Sequence, residues 1–126
     1  MRRTGGVIQL ARHSDKRSQW LKGILDLCVL GILVDGEAYG YEIAGRLHRD
    51  GIGQIKGGTL YPALAKLEDD GYVAATWRTG DGGPNRKYYS ITQTGATYLA
   101  VESAGWQTLA DAAGVLMGLR LRVERH

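Results

Sequence analysis

Apolar positions recur along the 126-residue chain with changing period, and each period predicts an element. From Gln19 to Val34 the apolar residues at 21, 24, 25, 28 and 32 keep helical steps, and Asp35-Gly36 supplies the turn that ends the helix. Trp20, Leu27 and Leu30 widen this stripe, so the helix is expected to face both its own domain and another helix or subunit. A shorter helix is predicted from about Tyr41 to His48, with Ile43, Ala44 and Leu47 inward and Asp50-Gly51 closing it. Four glycines between Gly51 and Gly58 form the turn into a third helix, where Leu60, Leu64 and Leu67 fall at i, i+4 and i+7. Thr59 is the expected N-cap of that helix, Pro62 is tolerated in its first turn, and Gly71 terminates it.

After Gly71 the period falls to two. Val73, Ala75 and Trp77 alternate with Ala74, Thr76 and Arg78, and a second run from Lys87 to Ile91 pairs with them around the turn-rich stretch from Thr79 to Arg86. From Thr92 to about Gly118 the chain reads as one helix, capped by Thr92 or Thr94 and roughly 35 to 40 Å long at 1.5 Å per residue. Leu99, Trp106, Leu109, Ala113 and Leu116 repeat on it in steps of seven, three, four and three. That is a coiled-coil seam, too long to be buried by a small winged domain, so a second copy of the chain is the economical partner. Trp106 is either interface packing or the wall of a ligand pocket.

The expected fold is mainly α with a small β-hairpin. A winged helix-turn-helix occupies residues 19–92 and a long C-terminal dimerisation helix residues 93–118, flanked by a basic, mobile arm at 1–18 and a basic tail at 119–126. The arm either follows a nucleic-acid backbone or is a solvated tail.

Charge sharpens this picture. The net charge is only +3, but Arg2, Arg3, Arg12, Lys16, Arg17 and Lys22 face Asp15 alone, and the tail adds Arg120, Arg122 and Arg125. Such clustering favours acidic partners. On the third helix, the face away from the leucines consists of Thr59, Tyr61, Pro62, Ala65 and Lys66, preceded by Lys56, Gly57 and Gly58, with no acid before Glu68. This small, basic surface suits the major groove, although an ordinary solvated helix face reads the same way in isolation. Asn85, Arg86 and Lys87 converge at the hairpin tip beside it. Lys66, Arg86, Lys87 and the arm are candidates for phosphate, and Thr59, Tyr61 and Pro62 for base edges.

Other chemistry lacks parts. The lone Cys28 allows no disulfide within the chain and is read as core packing. His13, His48 and His126 have no metal-ligand spacing, no Ser/His/Asp grouping is evident, and Gly80 to Gly83 sits in a hairpin rather than a nucleotide loop. The longest apolar run, Leu27 to Val34, is too short for a membrane span. The expectation is a cytoplasmic, nucleoid-associated protein without enzymatic activity, cofactor, metal or membrane partner.

Tyr39-Gly40-Tyr41-Glu42-Ile43, Gly58-Thr59-Leu60-Tyr61-Pro62-Ala63-Leu64 with Leu67-Glu68 and Gly71-Tyr72-Val73, and Asn85 to Thr92 with Gly95 together resemble the PadR-like bacterial transcriptional regulators. The resemblance extends from about Leu21 to Met117. It implies a dimeric, repressor-like protein that contacts operator DNA through the region around Tyr41, the start of the third helix and the wing. The single C-terminal helix is similar to the short subfamily, some of whose members bind aromatic or cationic molecules between paired tryptophans at the dimer centre. Trp106 matches that tryptophan, and Trp20, Asp26 and Leu27 would line the same effector pocket, with Ala110 standing where the family carries an acid. The mechanism this implies is a homodimer on an inverted repeat, released by a small-molecule effector. The alternatives are a constitutive repressor and a dimeric winged-helix module that binds protein.

Overall fold

The computed structural model describes residues 2–79 and 82–119, with side chains from residue 16 onward. In chain order the elements are α1 (Arg2–Val34), β1 (Ala38–Tyr39), α2 (Gly40–Arg49), α3 (Gly57–Asp69), β2 (Val73–Thr79), β3 (Asn85–Ile91) and α4 (Gln93–Leu116). The leucine stripe of α3 is buried as its spacing requires: Leu60, Leu64 and Leu67 join Ile43 and Leu47 of α2 and Leu25, Val29, Leu30 and Leu33 of α1 in one core. Ala38, Val73 and Tyr89 close that core from the sheet. Mainly helical architecture with a small antiparallel sheet is therefore what the chain adopts.

Three boundaries differ from expectation. Helix α1 begins at Arg2, not near Gln19, so the segment read as an aperiodic arm is helical backbone. That segment contains Gly5-Gly6, which are weak helix formers, but no proline. Once the packed half of a helix is nucleated, each further residue adds a hydrogen bond at little cost, with or without apolar periodicity. The side chains of Arg2, Arg3 and Arg12 lie outside the described ones, as do Arg120, Arg122 and Arg125 of the basic tail.

The second difference is at α3, whose N-cap is Lys56 instead of Thr59. The N–H groups of Thr59 and Leu60 both donate to the Lys56 carbonyl, each at 2.9 Å. Pro62 is thus the sixth helical residue, and the carbonyl of Gly58 lacks the helical donor that residue 62 would ordinarily supply. Third, the hairpin gains a strand. Ala38 and Tyr39 pair with Tyr89 and Tyr88, giving the strand order β1-β3-β2. Gly36, at φ 145°, provides the backbone reversal between α1 and this strand.

At the start of α4, Thr92 is the cap: its Oγ1 accepts from the Gly95 N–H at 3.0 Å and donates to the Gly71 carbonyl at 2.7 Å. One hydroxyl so ties the end of α3 to the start of α4. Cys28 is half-buried against the core, where burial and the nearby Asp26 carboxylate push its thiol pKa up and leave it a packing residue.

Candidate nucleic-acid interface

With its leucines buried, α3 leaves Gly57, Gly58, Tyr61, Pro62, Ala65 and Lys66 exposed. These do not form one surface. Tyr61 leans toward α2, and its ring occupies the space that a side chain on Gly40 would need. It also lies within van der Waals reach of a Cβ built on Gly57, at 3.4 Å. Glycine at position 40 is what lets the ring lie across the start of α2, whereas a side chain at position 57 would meet it only in ordinary contact. Beside it, Tyr41 projects from the first turn of α2, 78% exposed.

Thr59 and Lys66 lie on the opposite flank. With Lys22 and Asp26 of α1, Asp70, and Tyr98 of α4 they line a cleft of about 390 Å³. Lys66 is drawn along its own helix to Asp70, 3.2 Å away, an exposed pair of little energetic weight. Thr59, Tyr61 and Pro62 are all exposed, with Tyr61 turned toward α2 and Thr59 toward the clefts beside α1. Lys56 and Thr59 share a second cleft of about 400 Å³ with Arg17 and Lys22. Arg17 clamps the turn before α3 by donating to the carbonyls of Gly51 at 2.7 Å and Ile52 at 3.0 Å. Nothing in the local pattern signals that contact, since its partners are more than thirty residues away.

The hairpin divides its cations between two faces. Arg86 lies on the outer face with its guanidinium 4.7 Å from the centre of the Tyr39 ring. Arg78 sits on the same face, 4.6 Å from Tyr88 and paired with Glu37. Tyr39 stands edge-on to Tyr88 at 5.3 Å and stacks toward Tyr41 at 6.4 Å, so an aromatic row runs from the hairpin to the first turn of α2. Lys87 points to the other face, where its ammonium meets the Glu68 carboxylate of α3 at 3.0 Å. That hydrogen bond raises the Lys87 pKa. Without DNA, Lys87 is thus engaged by Glu68 of α3, through a pair that is partly exposed to solvent. Asn85 begins β3 and accepts from the Thr79 hydroxyl at 2.9 Å, closing the hairpin. Gly80 and Asp81 at the tip lie outside the described residues.

Of the residues expected at an effector pocket, Trp20 is 65% and Trp106 46% exposed, while Leu27 is half-buried. Asp26 is turned to its own chain, accepting from the Tyr98 hydroxyl at 3.1 Å. Tyr98 stacks on Tyr72 at 4.1 Å, and burial, followed by the Asp26 carboxylate, pushes its pKa up to about 12. Along the seam of α4, Leu99 packs on the chain's own core, whereas Leu109 and Leu116 are 67% and 89% exposed, with Ala113 half-buried. The bare part of the seam starts one turn or more beyond Leu99. No helix among the described residues is long and apolar enough to cross a membrane.

Comparison with known proteins follows the same outline. Residues 29–101 match the family described as Transcriptional regulator PadR-like. A protein of Lysinibacillus sphaericus is 31% identical over 103 residues, spanning 80% of this chain and 94% of the relative. The Negative transcriptional regulator PadR of Bacillus subtilis is 35% identical over 77 residues, which cover 57% of this chain and 41% of that larger protein. A crystal structure of a PadR family transcriptional regulator from Eggerthella lenta superposes with a TM-score of 0.79 at 33% identity, covering 88% of this chain and 96% of that one.

Proposed function

Because the chain belongs to the PadR-like family of transcriptional regulators, winged-helix proteins that bind DNA and are not enzymes, we propose that it works as a homodimeric repressor on an inverted-repeat operator. The observation that carries the dimer is the bare seam of α4, where Trp106, Leu109 and Leu116 stand in solvent on a helix of 24 residues. Such a stripe is stabilised only by a second apolar surface, and a symmetric pairing of two α4 helices offers one. Each protomer then presents α3 to a major groove, with Tyr41, Tyr61 and Pro62 at the entry and Arg86 at the neighbouring backbone. Occupancy of promoter DNA in the cytoplasm blocks transcription.

An effector acts by favouring a dimer geometry whose α3 spacing does not fit the operator. Trp106 is the favoured contact. Asp26 is already engaged by Tyr98 and Ala110 carries no charge, which favours a flat neutral aromatic over a cation at this seam.

The test combines sedimentation equilibrium with selection of binding sites from random duplexes. A dimer at micromolar concentration and a selected consensus with dyad symmetry are expected. Leu109→Asp with Leu116→Asp should give a folded monomer that has lost specific binding. A monomeric wild type that selects a single half-site would overturn the dimer reading. For the effector, tryptophan fluorescence of the operator complex, titrated with aromatic ligands, should respond in wild type and not in Trp106→Leu.

A further inference from the structure

The inward face of β2 keeps its apolar pattern beyond the end of the core. Val73 is buried and Ala75 half-buried, yet Trp77, the next residue on that face, is 63% exposed. The reason lies in the register. Ala75 pairs with Tyr89, the last buried residue of the hairpin, and Trp77 pairs with Lys87 one step further out. There the hairpin has run past its apolar support. The Lys87 ammonium lies 5.9 Å from the indole centre and is held by Glu68 of α3. A large aromatic surface is so kept in water, on the side of the hairpin that faces α3.

We propose that Trp77 is a DNA-contacting residue whose indole packs on a deoxyribose of the backbone strand running between α3 and the hairpin. The inference rests on the reading that α3 enters the major groove. The strand that borders that groove must then pass the wall made by Lys87 and Trp77. A nucleic-acid backbone alternates an anionic phosphate with a largely apolar sugar face. Lys87 and Trp77, directly opposed across two strands, offer a cation and an apolar plate at neighbouring positions. Charge favours DNA over a protein occupant. Of the hairpin cations, Arg78 is paired with Glu37 and Lys87 with Glu68, but Arg86 makes no ion pair among the described residues, and the Lys87–Glu68 pair is a partly exposed one that a phosphate can replace. The contact carries no base information. It fixes how deeply α3 is seated, which the base-edge residues then exploit.

The experiment uses full-length protein carrying 5-fluorotryptophan, whose three ¹⁹F resonances are assigned through single Trp→Phe variants and followed as a selected operator duplex is added. The Trp77 resonance is expected to shift and lose its solvent-isotope effect at saturation. Trp77→Leu should weaken binding about tenfold with an unchanged circular dichroism spectrum, and Trp77→Phe should retain most of the affinity. An unmoved Trp77 resonance in a complex that anisotropy shows to be saturated would overturn this inference alone. So would a Trp77→Leu variant of wild-type affinity, or a Trp77 resonance that follows protein concentration instead of DNA. Failure of the wild type to bind any duplex would overturn the α3 reading together with it.

Discussion

Gly95→Ala sets two effects of opposite sign against each other at the junction of the winged domain and α4. Alanine in a helix is favoured over glycine by about 1 kcal/mol, so on propensity alone the substitution stabilises. The surroundings reverse that. Gly95 is buried in the first turn of α4, and an added Cβ would overlap the carbonyl oxygen of Tyr72, with the Tyr72 carbonyl carbon at 2.9 Å and Ile91 Cγ1 at 3.0 Å. The oxygen cannot step aside cheaply, because it accepts the Thr92 N–H at 3.0 Å. Relief requires α4 to move away by about 1 Å, which strains a tightly packed contact at about 1–3 kcal/mol. It also pulls Gly95 from the Thr92 hydroxyl, at about 1 kcal/mol for a lost N-cap. After subtracting the gain in propensity, a net destabilisation of about 1–3 kcal/mol is expected. Urea unfolding followed by circular dichroism, with protomer concentration held fixed because self-association adds to apparent stability, measures it. A variant as stable as wild type, or more so, would refute the argument that backbone, and not propensity, decides this position.

Two further predictions concern charge. Glu68→Gln removes the acid that holds Lys87 and returns a cation to the α3-facing side of the hairpin. DNA affinity at low salt should rise several-fold and the slope of log K against log salt should steepen by about one unit; unchanged affinity would mean that Lys87 does not reach phosphate even when released. Partial burial, followed by the Asp26 carboxylate to which its hydroxyl donates, pushes the Tyr98 pKa up to about 12. Folding thus favours its neutral form. The stability it contributes is fully present below pH of about 10, the unfolded value, and is lost as pH rises toward about 12. Urea midpoints measured at pH 9, 10.5 and 11.5 should fall along that series, and Tyr98→Phe should flatten the decline; an equally steep decline in the variant would assign it to other groups.

What the sequence made legible was local. The leucine spacing of α3, the alternation of β2 and the Thr92 cap depend on residues within a few positions of one another, and each is found in the fold. What it concealed was long-range or below the length at which a period can be recognised. A two-residue strand such as Ala38–Tyr39 shows no alternation. The helical backbone before Gln19 carries no amphipathic stripe, and the step from Thr59 back to Lys56 as cap is made by backbone hydrogen bonds alone. The same distinction bears on the interface. The pairing of Lys66 with Asp70 follows from a spacing of four and is visible on paper, whereas Lys87 and Glu68 belong to different elements and meet only in three dimensions. A basic residue beside a reading helix is thus a phosphate ligand only after its acidic neighbours across the fold have been accounted for. Among the described residues, Lys56 at the start of α3 and Arg86 on the hairpin make no ion pair, and Arg86 is steadied only by the face of Tyr39. Lys22, which lines the same cleft as Lys56, likewise makes no ion pair among the described residues, so electrostatic attraction to DNA falls first on these cations, while the exposed Tyr41, Tyr61 and Pro62 are uncharged groups suited to contact base edges.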